Sequence, residues 1–385
     1  MIRHKGILTG SSYTSMFFLG VGTVIIGAAA GSIGLSPYQT GLLVSAQNVG
    51  FICAVLVAGA LADSTDKARL MSVGSLVLAV SFFFYYAWPA YVLNLVIMAF
   101  IGVGIGIYEG TADAMLLSLH SRRQGLHVSV NHFFVTFGCL GTTMYLIFLQ
   151  MGWRRSMVQS AAVVLALSAV FLFSRAGRGA ADRTALRQRI AFLKTQGVLA
   201  VLLILAVFGC GIELGLTGLL TGFLMELRGY DQVASKIGLV LFLAGIAAGR
   251  VALGFLSGRA SLPVMLTGLF AAAAACSSVL FFVRLPFAGT AVMLVLTGMA
   301  VSSLFPLLIT MAGRLFRDMS GTALGIVKLG VPIGGIVIPL ALSMATRAWS
   351  FQLSMGIFPV LGAAGLILLL VSGRMIRQRL GGKGS

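Results

Sequence analysis

The sequence predicts an all-α membrane protein: twelve transmembrane helices in two six-helix, pseudo-symmetric halves. Three observations carry this. The 385-residue chain is 59% apolar and only 9% charged, whereas a soluble domain carries roughly 25% charged residues. Its apolar residues gather into twelve long stretches. Its basic residues fall mostly on alternate connections between them.

The twelve stretches are 9–33, 38–62, 68–88, 91–119, 126–150, 154–173, 198–226, 233–258, 262–283, 287–313, 320–345 and 351–373. Each is long enough for a hydrocarbon core of ~30 Å at ~1.5 Å per residue. The first is too long for a signal peptide and reads as a span. With the N-terminus inside, 19 of the 27 Lys and Arg fall on cytoplasmic segments. Arg154, Arg155, Arg228, Lys236, Arg284 and Arg347 fall outside, and Arg250 and Lys328 lie within helices. This bias is the positive-inside rule, and it predicts cytoplasmic termini. The net charge of +18 is thus a topology signal, and nucleic acid is not an expected partner. Compactness and basic inner loops suggest a bacterial inner membrane.

The spans divide into an N-terminal half, 1–173, a basic cytoplasmic linker, 174–197, and a C-terminal half with its tail, 198–385. In the linker Leu186, Ile190 and Leu193 recur at helical spacing, with Arg183 and Arg187 on another side. It reads either as an amphipathic helix on the anionic inner leaflet or as a basic loop that only sets topology. The halves resemble each other weakly. Gly59 to Arg69 follows the second span, and Gly254 to Arg259 closes the eighth, 195 residues later. Transporters are often built from such repeats, with the substrate site at mid-membrane.

Glycine is abundant, at 49 residues, and lets helices approach closely. Pro306, Pro332 and Pro339 lie inside spans ten and eleven, where each removes a backbone donor and permits a kink. The four cysteines and four histidines show no metal-ligand or redox spacing. The expectation is therefore no metal, no cofactor and no catalytic constellation, hence not an enzyme.

Five charges lie well inside apolar stretches, away from their ends: Glu109, Asp113, Glu213, Arg250 and Lys328. Charges at membrane depth are costly and normally face a bundle interior or a polar cavity. Glu109 and Asp113 are four apart in span four and share a helix face, beneath Gly102 and Gly106. Glu109 lies roughly 27 Å along its helix, past the midpoint toward the cytoplasm. A carboxyl in a poorly hydrated site can exchange a proton as hydration changes, so this pair is the candidate for proton coupling, with a structural carboxyl as the alternative. Glu213 sits mid-span among glycines and Thr217. It is a candidate for binding substrate hydroxyls, or else a partner of Arg250.

Arg250 reads as charge balance. Lys328 either attracts an anionic group or neutralises an acid, and both long side chains also admit a snorkelling alternative. Gln47 and Asn48 in span two add polar groups for substrate, and Asn131 and His132 lie in span five. His132, near the cytoplasmic end, reads as a packed or interfacial histidine. In the 59–69 loop, Asp63 can cap or pair with a helix end, while Lys67 and Arg69 can pair with acids. Such contacts would make the loop a conformational switch; its alternative is a charged turn.

The 59–69 stretch resembles the signature loop of the major facilitator superfamily: Gly59, Leu61, the acid Asp63, then the basic residues Lys67 and Arg69. Ser64 and Asp66 stand where that loop usually has a basic residue and a glycine. Span count and linker agree with the superfamily, so the resemblance covers the whole chain.

Four segments are similar to the superfamily's fucose/glucose:proton symporters: Gly104-Ile-Gly106-Ile-Tyr108-Glu109 with Asp113 in place of that group's Asn, Gly211-Ile-Glu213, Gly249-Arg250 and Phe305-Pro306. The resemblance implies Glu109 in proton coupling and Glu213 near a sugar. The expected function is secondary active transport of a small polar solute, a sugar or polyol, by alternating access with proton coupling. The partners are that substrate, protons and membrane lipids, and the protein is expected to be a monomer. Two alternatives stay open: an exporter or exchanger of an anionic or amphipathic solute using Lys328 and Arg250, and a non-transporting receptor or scaffold.

Overall fold

The structure is a computed structural model that describes residues 4–35, 37–148, 152–176, 191 and 195–381. The linker expectation, including its amphipathic stretch over Leu186, Ile190 and Leu193, falls mostly outside the described residues. The N-terminal elements are α1 (Lys5–Ile33), α2 (Pro37–Ser64), α3 (Lys67–Phe84), α4 (Tyr91–Leu119), α5 (Gln124–Phe148) and α6 (Trp153–Leu172). The rest are α7 (Gly197–Arg228), α8 (Gln232–Leu256), α9 (Leu262–Phe282), α10 (Phe287–Ser302), α11 (Leu304–Leu315), α12 (Ser320–Lys328), α13 (Gly330–Ala348), α14 (Phe351–Ser354) and α15 (Ile357–Gly381). A turn of 3₁₀ helix, Arg317–Met319, precedes α12.

Among the described residues, ten segments are long and apolar enough to cross a membrane. With α1 and α5, of 29 and 25 residues, the spans number twelve. Two spans, Phe287–Leu315 and Arg317–Ala348, are interrupted, and proline accounts for both breaks. Pro306 and Pro332 are each the third residue of a helix, α11 and α13. Neither can donate to the carbonyl four residues back, which is that of Ser302 or Lys328. The helix ends at that residue in each case.

The chain forms two compact units. The first is Met1–Ser121, Val130–Phe192 and Phe316–Ile326; the second is Arg122–Ser129, Leu193–Leu315 and Val327–Ser385. Internal pairing repeats between them. In the first, α2 lies along α4 and α3 packs on α6; in the second, α8 lies along α10 and α9 packs on α15. The seams match as well. A methyl added at Gly50 would strike the Ala99 carbonyl, and one at Gly102 the Gln47 carbonyl. In the second unit Gly245 and Gly298 stand in the same relation to the carbonyls of Val295 and Phe242. Only glycine lets these backbones meet.

Two of the arginines outside the positive-inside pattern have a local reason. Arg154 donates to the carbonyls of Phe82 (3.3 Å) and Phe83, at the end of α3. Arg228 donates to those of Leu280 and Val283 (2.8 Å), at the end of α9. Each satisfies carbonyls that a helix terminus leaves without partners. Large apolar side chains such as Val92, Phe100, Val264 and Val371 are exposed, as lipid-facing positions should be.

Candidate functional site

In the first unit, α4 carries Glu109 and Asp113 on one face, and α5 brings Asn131 and His132 against them. Asp113 is fully buried, and Glu109 and His132 are 7% and 4% exposed. One Asp113 oxygen accepts from Asn131 Nδ2 at 2.8 Å; the other lies 3.0 Å from His132 Nε2. Ser12 on α1 donates to Asn131 Oδ1 at 3.2 Å. One donor atom each from Glu109, Asp113 and His132 lies within 4.8 Å of the others. Below Gly106 the α4 face is therefore a buried polar cluster whose carboxyls can take up or release a cation. Beside it, Tyr108 donates to Ser75 Oγ at 2.7 Å and fastens α4 to α3.

Gln47 is buried and donates to the Gly22 carbonyl at 2.8 Å, joining α2 to α1. Asn48 is half-buried.

In the second unit, Arg250 Nη2 lies 2.6 Å from Glu213 Oε1. Its Nε donates to the Ser302 carbonyl at 3.2 Å, the acceptor that Pro306 leaves without its helical donor. One guanidinium thus joins α7, α8 and the α10–α11 break. This bonding leaves no room for the snorkelling alternative at Arg250. Thr217 donates to the Glu213 backbone carbonyl at 2.7 Å, one turn earlier on its own helix. Lys328 ends α12 and is fully buried, so it does not snorkel either.

The 59–69 loop closes on the start of α12. Asp63 is buried and accepts from the backbone N–H of Gly321 (2.7 Å) and Thr322 (2.9 Å) and from the Thr322 hydroxyl. Gly59 packs on Gly321, where a methyl would strike the Gly321 carbonyl. Asp66 caps α3 through Ala68 N at 2.9 Å and also accepts from Ala176 N at 3.2 Å. Lys67 is buried with Asp63 and Asp66 as charged neighbours, while Arg69 is exposed.

The structure thus brings together Glu109 with Asp113, Glu213 with Arg250, and Asp63 with the start of α12. Sequence reasoning missed the association of Ser12, Asn131 and His132 with Asp113. Depth held the signal. Asp113 lies six residues before the end of α4, and Asn131 and His132 lie seven and eight after the start of α5. Antiparallel neighbours joined by a short turn place such positions at one level.

The sequence profile of the major facilitator superfamily matches residues 7–290, and the chain belongs to that superfamily of membrane transporters. Its fold is similar to that of the E. coli fucose:proton symporter FucP, with a TM-score of 0.78 and 18% identity, over 95% of this chain and 98% of that one. It is also similar to the proton:xylose symporter XylE, solved with 6-bromo-6-deoxy-D-glucose (TM-score 0.76, 14% identity, 97% and 96% covered). A third similar fold is the human organic anion transporter MFSD10 (TM-score 0.74, 15% identity, 96% and 100% covered). No curated protein sequence matches the chain.

Proposed function

We propose that this transporter is a proton-coupled symporter of a small polar solute, a sugar or similar polyol, working by alternating access. The buried cluster at Glu109 and Asp113 carries the reading. Two carboxyls on one face of a membrane helix, with an imidazole at 3.0 Å from one of them, can load and release a proton as hydration changes. Glu109 is the primary coupling group and Asp113 extends it. Glu213, Thr217, Gln47 and Asn48 supply polar contacts to substrate, and Arg250 balances Glu213. The loop of Gly59, Asp63, Lys67 and Arg69 acts as the conformational switch. Residues 1–173 and 198–385 form the two halves, joined by the linker 174–197, in a monomer of the bacterial inner membrane with both termini cytoplasmic. FucP and XylE, both named as proton symporters of sugars, support the solute class.

Reconstitution into liposomes with an imposed inward proton gradient tests this. Accumulation of a neutral hexose or pentose is expected, and Glu109→Gln should abolish it. Intact gradient-driven accumulation in Glu109→Gln would remove the coupling assignment.

A second reading is export or exchange of an anionic or amphipathic solute, with Lys328 and Arg250 as the cations that meet it. A cation at a helix break can meet a carboxylate or phosphate, and similarity to an organic anion transporter gives it context. Loss of anion flux in Lys328→Ala, with neutral sugars ignored by the wild type, would select this reading.

A further inference from the structure

We propose that Glu109, Asp113 and His132 form a binding site for a divalent transition-metal ion of the zinc class. Among the described residues, these three are the one group of His, Cys, Asp and Glu with donor atoms converging within 4.8 Å. They come from two helices, and two of them are carboxylates while the third is an imidazole. That donor set suits a borderline cation such as Zn²⁺ or Co²⁺. It does not suit Ca²⁺, which takes six to eight oxygens, nor Mg²⁺, which prefers oxygen alone.

The dimensions fit. An ion at the centre of a triangle with 4.8 Å sides would lie about 2.8 Å from each donor, against about 2.0–2.2 Å for zinc bound to oxygen or nitrogen. Side-chain movements of about 0.8 Å at most complete the coordination.

The surroundings are those of a ligating carboxylate held in place. Asn131 fixes the second Asp113 oxygen and Ser12 fixes Asn131, so Asp113 is oriented by a chain of hydrogen bonds. Such outer partners typically alter metal affinity by 10–100-fold. All three donors are at least nine-tenths buried, which strengthens the attraction between a dication and two carboxylates. The ion sits between His132 Nε2 and Asp113 Oδ2, which lie 3.0 Å apart; the ring binds as a neutral imidazole through its Nε2 lone pair with its one proton on Nδ1, so an imidazolium releases one proton to water and a neutral ring only shifts its proton from Nε2 to Nδ1.

The ion and the coupling proton then compete for the same carboxyls. That consequence rests on the proposed coupling role of Glu109; metal binding does not.

Zn²⁺ binding to the purified full chain is measured by isothermal titration, and Co²⁺ binding by its visible d–d absorption. One ion per chain is expected, bound at least about tenfold more weakly after His132→Gln or Asp113→Asn. His132→Cys keeps a ligand and should add a thiolate-to-cobalt band above any given by the native cysteines. Three results would each overturn the site: no binding of either ion by the wild type at micromolar concentration, wild-type affinity in folded His132→Gln, or no added band in folded His132→Cys. Zn²⁺ bound with proton-driven uptake unaffected would instead refute the coupling role and leave the metal site standing.

Discussion

Arg250 holds Glu213 at 2.6 Å while its Nε takes the backbone carbonyl of Ser302. The carboxylate on α7 is thereby neutralised by a residue on α8. Both side chains are mostly shielded, at 7% and 17% exposure. Removing one partner of a buried pair leaves an uncompensated charge, at a cost of about 3–5 kcal/mol. Arg250→Met should therefore lower the melting temperature markedly, and Glu213→Gln added to it should recover most of the loss. A thermal-unfolding double-mutant cycle in detergent measures this. A double variant whose destabilisation is the sum of those of the two single variants would mean the pair carries no coupling energy.

The glycine seams predict a matched pair of defects. Alanine at Gly102 drives a methyl into the Gln47 carbonyl, and alanine at Gly298 does the same to Phe242. Each forces α2 from α4, or α8 from α10, and overpacking of this kind costs about 1–3 kcal/mol. Gly10 and Gly268 have nothing within 4 Å of an added methyl, so alanine there should be neutral or slightly stabilising through helix propensity. Melting temperatures of the four single variants decide it: the first two fall and the second two do not.

The spans were legible in the sequence because crossing a bilayer demands length and apolarity at once. The two proline breaks were legible as kinks, but their consequence was not. That the Ser302 carbonyl becomes an acceptor for Arg250 depends on α8 lying against α10, which no local pattern encodes. Asp113 was legible as a buried acid, whereas His132 was not legible as its partner. A histidine near a helix end fits an interfacial position equally well until the depths of two antiparallel helices are compared. Arg154 and Arg228 looked like departures from a topology rule; their role at the ends of α3 and α9 is a tertiary fact.

Asp63 accepts the first amides of α12, from a position some 258 residues away in sequence. Asp63→Ala would free the N–H groups of Gly321 and Thr322 and the Thr322 hydroxyl together. Loss of an N-terminal cap costs about 0.5–2 kcal/mol. Hydrogen exchange followed by mass spectrometry should show faster exchange in the peptide spanning 320–328, and Asp63→Asn should fall between alanine and wild type. Unchanged exchange there would show that α12 does not depend on the loop.

Pro306 links the α10–α11 break to the Glu213–Arg250 pair. In Pro306→Ala the chain gains an N–H four residues beyond the Ser302 carbonyl, the usual donor for that acceptor. The new amide then competes with Arg250 Nε, and α10 and α11 can join into one helix. Alanine is also about 3 kcal/mol better than proline in a helix interior. Here the gain should be smaller, because Pro306 is only the third residue of α11 and Arg250 loses an acceptor. The expected result is protection of the new amide at position 306, a melting temperature equal to or above that of the wild type, and slower solute turnover in liposomes. Hydrogen exchange resolved to that single position and initial uptake rates test the two halves of this expectation. An unprotected amide would show that the break is set by packing around Ser303 rather than by the missing donor. Protection with undiminished turnover would show that transport does not need the break at all.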